Sequence, residues 1–180
     1  MFFIKSKEKT AICPNCGGEL KYHSTVTRPL NEITEEKKTY GIRVLKCTNK
    51  ACPKKYHREL PDIMIPYKRY DAASIEEAIT NRNRYKVTIR ADESTIWRWR
   101  NWFKTNAWQM IMALLSVLIA INGNAETSSL ETQKQTVCSP IEKLQAILGR
   151  RAKWLSETAR ILVNFSKWVF NRSAFLPGHW

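Results

Sequence analysis

The chain has 180 residues, and its 30 Lys and Arg against 16 Asp and Glu give a formal net charge of +14. This length leaves room for one ordinary domain or two small ones. Seven Trp, six Tyr and six Phe are spread along the sequence, so composition excludes a disordered basic tail. Such an excess of positive charge costs self-repulsion unless a polyanion binds, which favours nucleic acid first and an anionic membrane surface second.

Four cysteines in two close pairs come first along the chain. Cys13 and Cys16 lie in Cys-Pro-Asn-Cys-Gly-Gly, and Cys47 and Cys52 form the second pair. Two such turns, each supplying two thiolates, are typical of a zinc ribbon in which Zn²⁺ has four sulfur ligands. His57 could replace one cysteine, but four thiolates already complete the site. A disulfide pair or four unrelated thiols is the alternative interpretation.

The first residues of the chain bear on the cellular compartment. After Met1, only three apolar residues precede the first charge at Lys5, so we expect no secretory signal and a location in the cytoplasm. Cysteines in a reducing compartment bind metal more often than they form disulfides. The location therefore supports the zinc interpretation.

Alternating β-forming and polar residues predict strands at 19–28 and 38–46, joined by a loop at 29–37. This hairpin would bring the two cysteine pairs together, so residues 1–60 are predicted to be a zinc ribbon. The connector that follows has two prolines and no Gly/Ser composition, and we expect it to pack rather than swing. Together with the helices predicted beyond it, the ribbon places the protein in the α+β class.

Residues 61–106 are predicted to hold two helices, at 72–80 and 93–103. An Asp or Ser at the start of each is typical of a helix cap. The candidate caps are Asp71 or Ser74 for the first helix and Asp92 or Ser94 for the second.

The second of these helices has two different sides. At 100° per residue, Ile96, Trp99 and Phe103 form a stripe predicted to be buried. The other side is similar to the recognition helix of a helix-turn-helix, because Arg can pair with guanine, Asn with adenine, and Ser with phosphate. A solvated basic face is the alternative. The predicted DNA contacts are Ser94, Thr95, Trp97, Arg98, Arg100, Asn101 and Lys104, with Arg82, Arg84 and Lys86 before the helix.

Taken together, the motifs resemble a known family. They are Cys-Pro-x-Cys-Gly, Cys-x4-Cys, the Leu-Pro-Asp and Pro-Tyr-Lys-Arg-Tyr run within 57–70, and Asp-Glu-Ser-Thr-Ile-Trp-Arg-Trp-Arg at 92–100. Over about residues 10–105 the chain looks like a widespread uncharacterised bacterial family of small zinc-ribbon plus helix-turn-helix proteins, similar to the DNA-binding front ends of transposases.

The resemblance implies DNA binding tied to mobile genetic elements, without a settled molecular activity. It implies metal ligation by the four cysteines and DNA reading by Arg98 and its neighbours. The chain departs from the pattern between the two helices, where Arg-Asn-Arg-Tyr-Lys-Val-Thr at 82–88 contains no clear middle helix. The subtype of helix-turn-helix is therefore left open.

Residues 107–180 are predicted to form C-terminal helices. The uncharged run at 107–123 is shorter than the ~20 apolar residues of a membrane span, so it predicts a buried core helix. A membrane-tethered zinc-ribbon protein is the alternative. A further helix is predicted at 139–171, opened by a capping box and Pro140, with Gly149 as a break. Its apolar stripe would cover the core helix or, alternatively, form a homodimer.

The sequence contains no recognisable catalytic constellation. Few carboxylates follow Glu93, and we find no Gly-rich phosphate loop, nucleophile elbow or His-Glu-x-x-His. We therefore expect a non-enzymatic, zinc-stabilised protein that binds duplex DNA as an accessory or regulator of a mobile element, or as a transposase fragment. An RNA-binding module that stacks unpaired bases on exposed Trp97 or Tyr22 is the alternative.

Overall fold

The computed structural model describes residues 1–3, 11–34, 37–81, 89, 91–122, 139–149 and 153–165. In these residues a β-sheet is followed by helices, which confirms the predicted mixture of α and β structure. The strands are β1 Phe2–Phe3, β2 Ala11–Ile12, β3 Glu19–Asn31, β4 Lys37–Cys47 and β5 Tyr56–Arg58. The helices are α1 Ala72–Thr80, α2 Glu93–Asn122, α3 Pro140–Ile147 and α4 Trp154–Asn164.

The sheet is organised around the antiparallel hairpin of β3 and β4. β2 pairs with β3, whereas β1 and β5 both pair with β4. The two long strands extend further than predicted, so the loop is shorter than 29–37. Leu30 explains the extension, because it pairs with Lys38 and is fully buried against Tyr40 and Ile42.

The connector between sheet and helices packs, as expected. Met64 is buried with the sheet, and the next residue, Ile65, is buried in the helical core. The guanidinium of Arg28 donates to the backbone carbonyls of Ile65 at 3.0 Å and Lys68 at 2.5 Å. Adjacent residues of the connector therefore belong to different cores, which ties the sheet to the helices.

The helix caps are the aspartates among the predicted candidates. Asp71 accepts a hydrogen bond from the backbone amide of Ser74 at 2.9 Å and begins α1. Asp92 accepts from the backbone amide of Thr95 at 2.7 Å at the start of α2. Hydrogen bonds from Ser94 and Thr95 lower the pKa of Asp92 to about 2, so this cap is charged at neutral pH.

The helix predicted at 93–103 and the core helix predicted from the 107–123 run are in fact one helix, α2. No Pro or Gly lies between them, and Asn106 keeps its side chain within the helix by donating to the carbonyl of Trp102 at 2.7 Å. The boundary placed between 106 and 107 therefore falls inside α2. The predicted stripe is confirmed, because Trp99 and Phe103 are buried and Ile96 is partly buried.

The other helices pack around α2 and form the main core. Gly149, with φ +74, follows α3, which confirms the predicted break between α3 and α4. The apolar stripe of these two helices covers α2, which is the first of the two roles considered for it. Its buried members in the structure are Leu144, Leu155, Ala159 and Leu162, whereas Ala152 and Val169 lie outside the described residues.

Candidate metal centre and nucleic-acid interface

The first cysteine pair lies in the turn between β2 and β3. The amide of Cys13 donates to the carbonyl of Gly18 at 2.7 Å, and the amide of Gly17 donates to the carbonyl of Cys13 at 2.9 Å. Gly17 adopts φ +70, a conformation that favours glycine. A Cβ on Gly18 would lie 3.4 Å from the sulfurs of Cys16 and Cys47. Both glycines thus allow the chain to fold closely around the sulfurs.

The second pair is delivered by β4. Leu20 of β3 pairs with Cys47, which places the end of β4 beside the first turn. The amide of Cys47 donates to the carbonyl of Lys55 at 2.8 Å, and that of Cys52 donates to the carbonyl of Asn49 at 3.2 Å. These bonds close the second turn and bring Cys52 back toward the first pair.

The four sulfurs converge as a metal site requires. Their ligand atoms all lie within 4.8 Å of one another. The sulfur–sulfur distance is 3.7 Å between Cys13 and Cys52 and 3.5 Å between Cys16 and Cys47. A tetrahedral ion with metal–sulfur bonds of about 2.3 Å would place its sulfurs about 3.8 Å apart. The cluster could therefore hold a metal ion, as the sequence predicted.

The electrostatics of the cluster also call for a cation. The backbone amide of Gly18 lowers the pKa of Cys16 to about 7. Burial raises the pKa of Cys47 to about 12 and also raises that of Cys52. Buried thiolates this close to one another need a positive charge between them to ionise together. A divalent ion bound between the four sulfurs would supply this positive charge.

His57 lies beside the cluster without belonging to it. Its Nε2 is 2.9 Å from the carbonyl oxygen of Lys54 and 3.3 Å from the sulfur of Cys13. Because a carbonyl oxygen only accepts, Nε2 carries the proton and donates, which leaves it no lone pair for a metal. Burial lowers the pKa of His57 and favours the neutral ring. The geometry supports the four-cysteine interpretation over a site with His57 as ligand.

Five of the predicted DNA contacts in α2 are exposed on one side of the helix: Ser94, Trp97, Arg98, Asn101 and Lys104. We call these five residues the recognition face. Thr95 is only partly exposed, and its hydroxyl donates to Asp92 at 3.0 Å. Arg82, Arg84 and Lys86 lie outside the described residues, as does most of the segment that would be the turn of a helix-turn-helix.

Arg100 differs from the other predicted contacts in α2, because its guanidinium binds carbonyls of the neighbouring helix. Its Nε donates to the carbonyl of Ala78 at 2.7 Å, and a terminal nitrogen donates to the carbonyl of Asn81 at 2.5 Å. Both carbonyls lie at the C-terminal end of α1, where a cation is favourable. Arg100 therefore anchors α1 to α2, and this contact uses two of its guanidinium nitrogens.

The apolar half of α2 bears on the membrane alternative. α2 is long and apolar enough by length and composition to cross a membrane, a criterion that core helices also meet. Met110, Leu114 and Val117 on one side are buried in the helical core, whereas Met112 and Ile119 on the other are exposed. The contacts with the neighbouring helices favour the predicted core helix.

The sequence interpretation missed one exposed surface on the sheet. The rings of His23 and Tyr56 lie 5.0 Å apart, and Lys46 Nζ lies 6.0 Å from the Tyr56 ring centroid. The sequence does contain one signal for this surface, its positive charge: residues 46–58 include five Lys and Arg and no Asp or Glu. Which of these residues lie together depends on strand register, which spacing in the sequence does not reveal.

Comparison with known families gives one match, which runs from the first cysteine pair to the start of α2. Residues 13–99 match the model of a family described as a domain of unknown function, DUF6431. The matched segment, a little under half of the chain, includes the four cysteines, the connector and α1. No curated protein matches the chain, and no solved structure matches it.

Proposed function

We propose that this protein is a zinc-stabilised, non-enzymatic protein that binds duplex DNA through the recognition face of α2. The observation that carries the proposal is the division of this helix into two sides. Trp99, Trp102 and Phe103 are buried in the core, while the polar and basic side chains of the recognition face remain exposed. Base-reading groups can thus reach a groove without any loss of packing.

Zinc is the ion that suits four thiolates in a tetrahedral arrangement. A site closed by four sulfurs has no open position for water, so the metal would act in folding rather than in catalysis. Through β4 and the connector, the metal site would support the sheet that precedes the helices.

The chemistry of the recognition face suits the major groove. Arg98 can form two hydrogen bonds to guanine, and Asn101 can form two to adenine. Lys104, one turn further along, suits a phosphate, and the net charge of +14 would draw the protein to DNA before any base is read. Arg100 holds α1 against α2, which would fix the angle at which the face is presented.

The biological role that we propose is that of an accessory or regulator of a mobile genetic element. The resemblance to the DNA-binding front ends of transposases supports it, since such proteins bind defined sites at element ends. The first step is to select duplexes from random sequence with the full-length protein, which would reveal the preferred site.

The replacement Arg98→Ala then tests the face. It should cost about 1–3 kcal/mol of discrimination at one base pair, because the bidentate contact is lost, while thermal stability is unchanged. The matched control is Arg160→Ala, which removes an Arg from α4 whose partner is Asp62 at 3.6 Å. Binding of specific and random duplexes by both variants is measured by fluorescence anisotropy. Equal losses for the two variants on both duplexes would refute the recognition face.

A further inference from the structure

A second surface suited to nucleic acid lies on the sheet, on elements separate from α2. Strand pairing places Lys21 of β3, Lys46 of β4 and Tyr56 of β5 in one row across three strands. Residues paired in this way project from the same face of a sheet. His23 lies at the irregularity of register beside them and contacts the Tyr56 ring. We call these four residues the ring platform.

The ring platform is open and positively charged. Tyr56 is 48% exposed, and the other three side chains are exposed as well. Arg58, two residues after Tyr56 on β5, projects from the same face. Glu19, two residues before Lys21 on β3, is its acidic partner at 3.7 Å, and both groups are largely solvated. An aromatic face with cations around it complements a stacked base and its phosphates.

We infer that the ring platform binds unpaired nucleotides of a single-stranded nucleic acid. One base would stack on the Tyr56 ring, and the neighbouring phosphates would contact Lys46 and Lys21. Stacking accepts any base, and lysine contacts with phosphate are alike along a strand, so binding would be tolerant of sequence. Bases inside a duplex are already stacked and are not available to Tyr56. The inference therefore stands apart from duplex binding by α2.

The test uses the full-length, zinc-loaded protein and fluorescence anisotropy with labelled oligomers of about 12 nucleotides, within the usual range of single-strand sites. The probes are oligo-dT, oligo-rU and a blunt duplex. Tyr56→Ala should weaken single-strand binding about 5- to 100-fold, while Tyr56→Phe, which keeps the ring, should stay close to the wild type. Duplex binding should be unchanged in Tyr56→Ala and weakened in Arg98→Ala, so failure of one proposal is distinguishable from failure of the other.

The matched control is Tyr22→Ala. Tyr22 is 61% exposed on β3, but it pairs with Leu45 and so projects from the opposite face of the sheet. Single-strand binding should survive its loss, and metal content should be unchanged in every variant. Tighter binding of oligo-dT would identify DNA as the preferred single strand, and tighter binding of oligo-rU would identify RNA. Equal binding of the two would mean that the platform does not distinguish the sugars. All three results support the inference. Wild-type affinity of Tyr56→Ala, an equal loss in Tyr22→Ala, or no single-strand binding at all would overturn it.

Discussion

Removal of the metal should unfold the sheet and leave the helical core folded. The two parts differ in how much they bury. Among the residues that the structure describes, the helical core contains eighteen buried residues and no cysteine, whereas the sheet core next to the connector contains four. At the cysteine cluster itself, Leu20 is the one partly buried apolar side chain in the described part of the chain that packs against the cysteines. The sheet therefore depends on the metal far more than the helices do.

The magnitude follows from burial and chain entropy. The four side chains of the sheet core, with Val44 and Leu45 also buried on β4, contribute about 9–18 kcal/mol at about 1.5–3 kcal/mol each. Ordering the backbone of β3 and β4, 13 and 11 residues long, costs about 1–2 kcal/mol per residue, which exceeds that gain. A structural zinc ion contributes about 10–16 kcal/mol at neutral pH, as much as the net stability of a whole domain. Without it, we expect the sheet to be unfolded.

The assay is hydrogen exchange followed by mass spectrometry, before and after addition of a chelator. Amide protection of 37–47 should be lost, while protection of the buried turns of α2 at 99–117 persists. Cys47→Ser should behave like the chelated protein and bind less than one zinc per chain. Cys138→Ser, which replaces the cysteine outside the cluster, is the matched control and should keep both metal and protection.

Two results would refute this reasoning. Protection of 37–47 that survives complete loss of metal would mean that the sheet is stable by its own packing. Simultaneous loss of protection in α2 would mean that the connector joins the two parts into one cooperative unit, so that the division into two cores has no energetic meaning.

Two further predictions concern charge. If about five or six phosphates are neutralised, the logarithm of the duplex affinity should fall with the logarithm of salt concentration with a slope near −5, and a slope near zero in a salt titration would contradict this. Burial lowers the pKa of Lys68, whose Nζ lies 4.3 Å from the Trp102 ring centroid, to about 8. Because the unfolded chain then binds the extra proton, the free energy of unfolding should rise by up to about 3 kcal/mol between about pH 8 and 10.5. Urea titrations of wild type and Lys68→Met should differ in this slope, and identical slopes would contradict the assignment.

The sequence by itself determined the features that depend on short stretches of chain. The cysteine cluster could be predicted because each pair sits in one turn, and ligand spacing is a local property. The caps Asp71 and Asp92 could be predicted because a cap bonds to an amide three residues away. The buried side of α2 at Trp99 and Phe103 follows from helical periodicity.

The tertiary structure alone decided the features that join distant residues. Arg100 looks like a DNA contact by residue type, but carbonyls at the end of α1, 22 and 19 residues away, bind its guanidinium. Tyr56 became part of a surface only when register placed it beside Lys46. The continuity of α2 beyond Phe103 likewise rests on packing against α3 and α4, because most of a helix's stability comes from its tertiary contacts and local propensity is only a weak guide to where a helix ends.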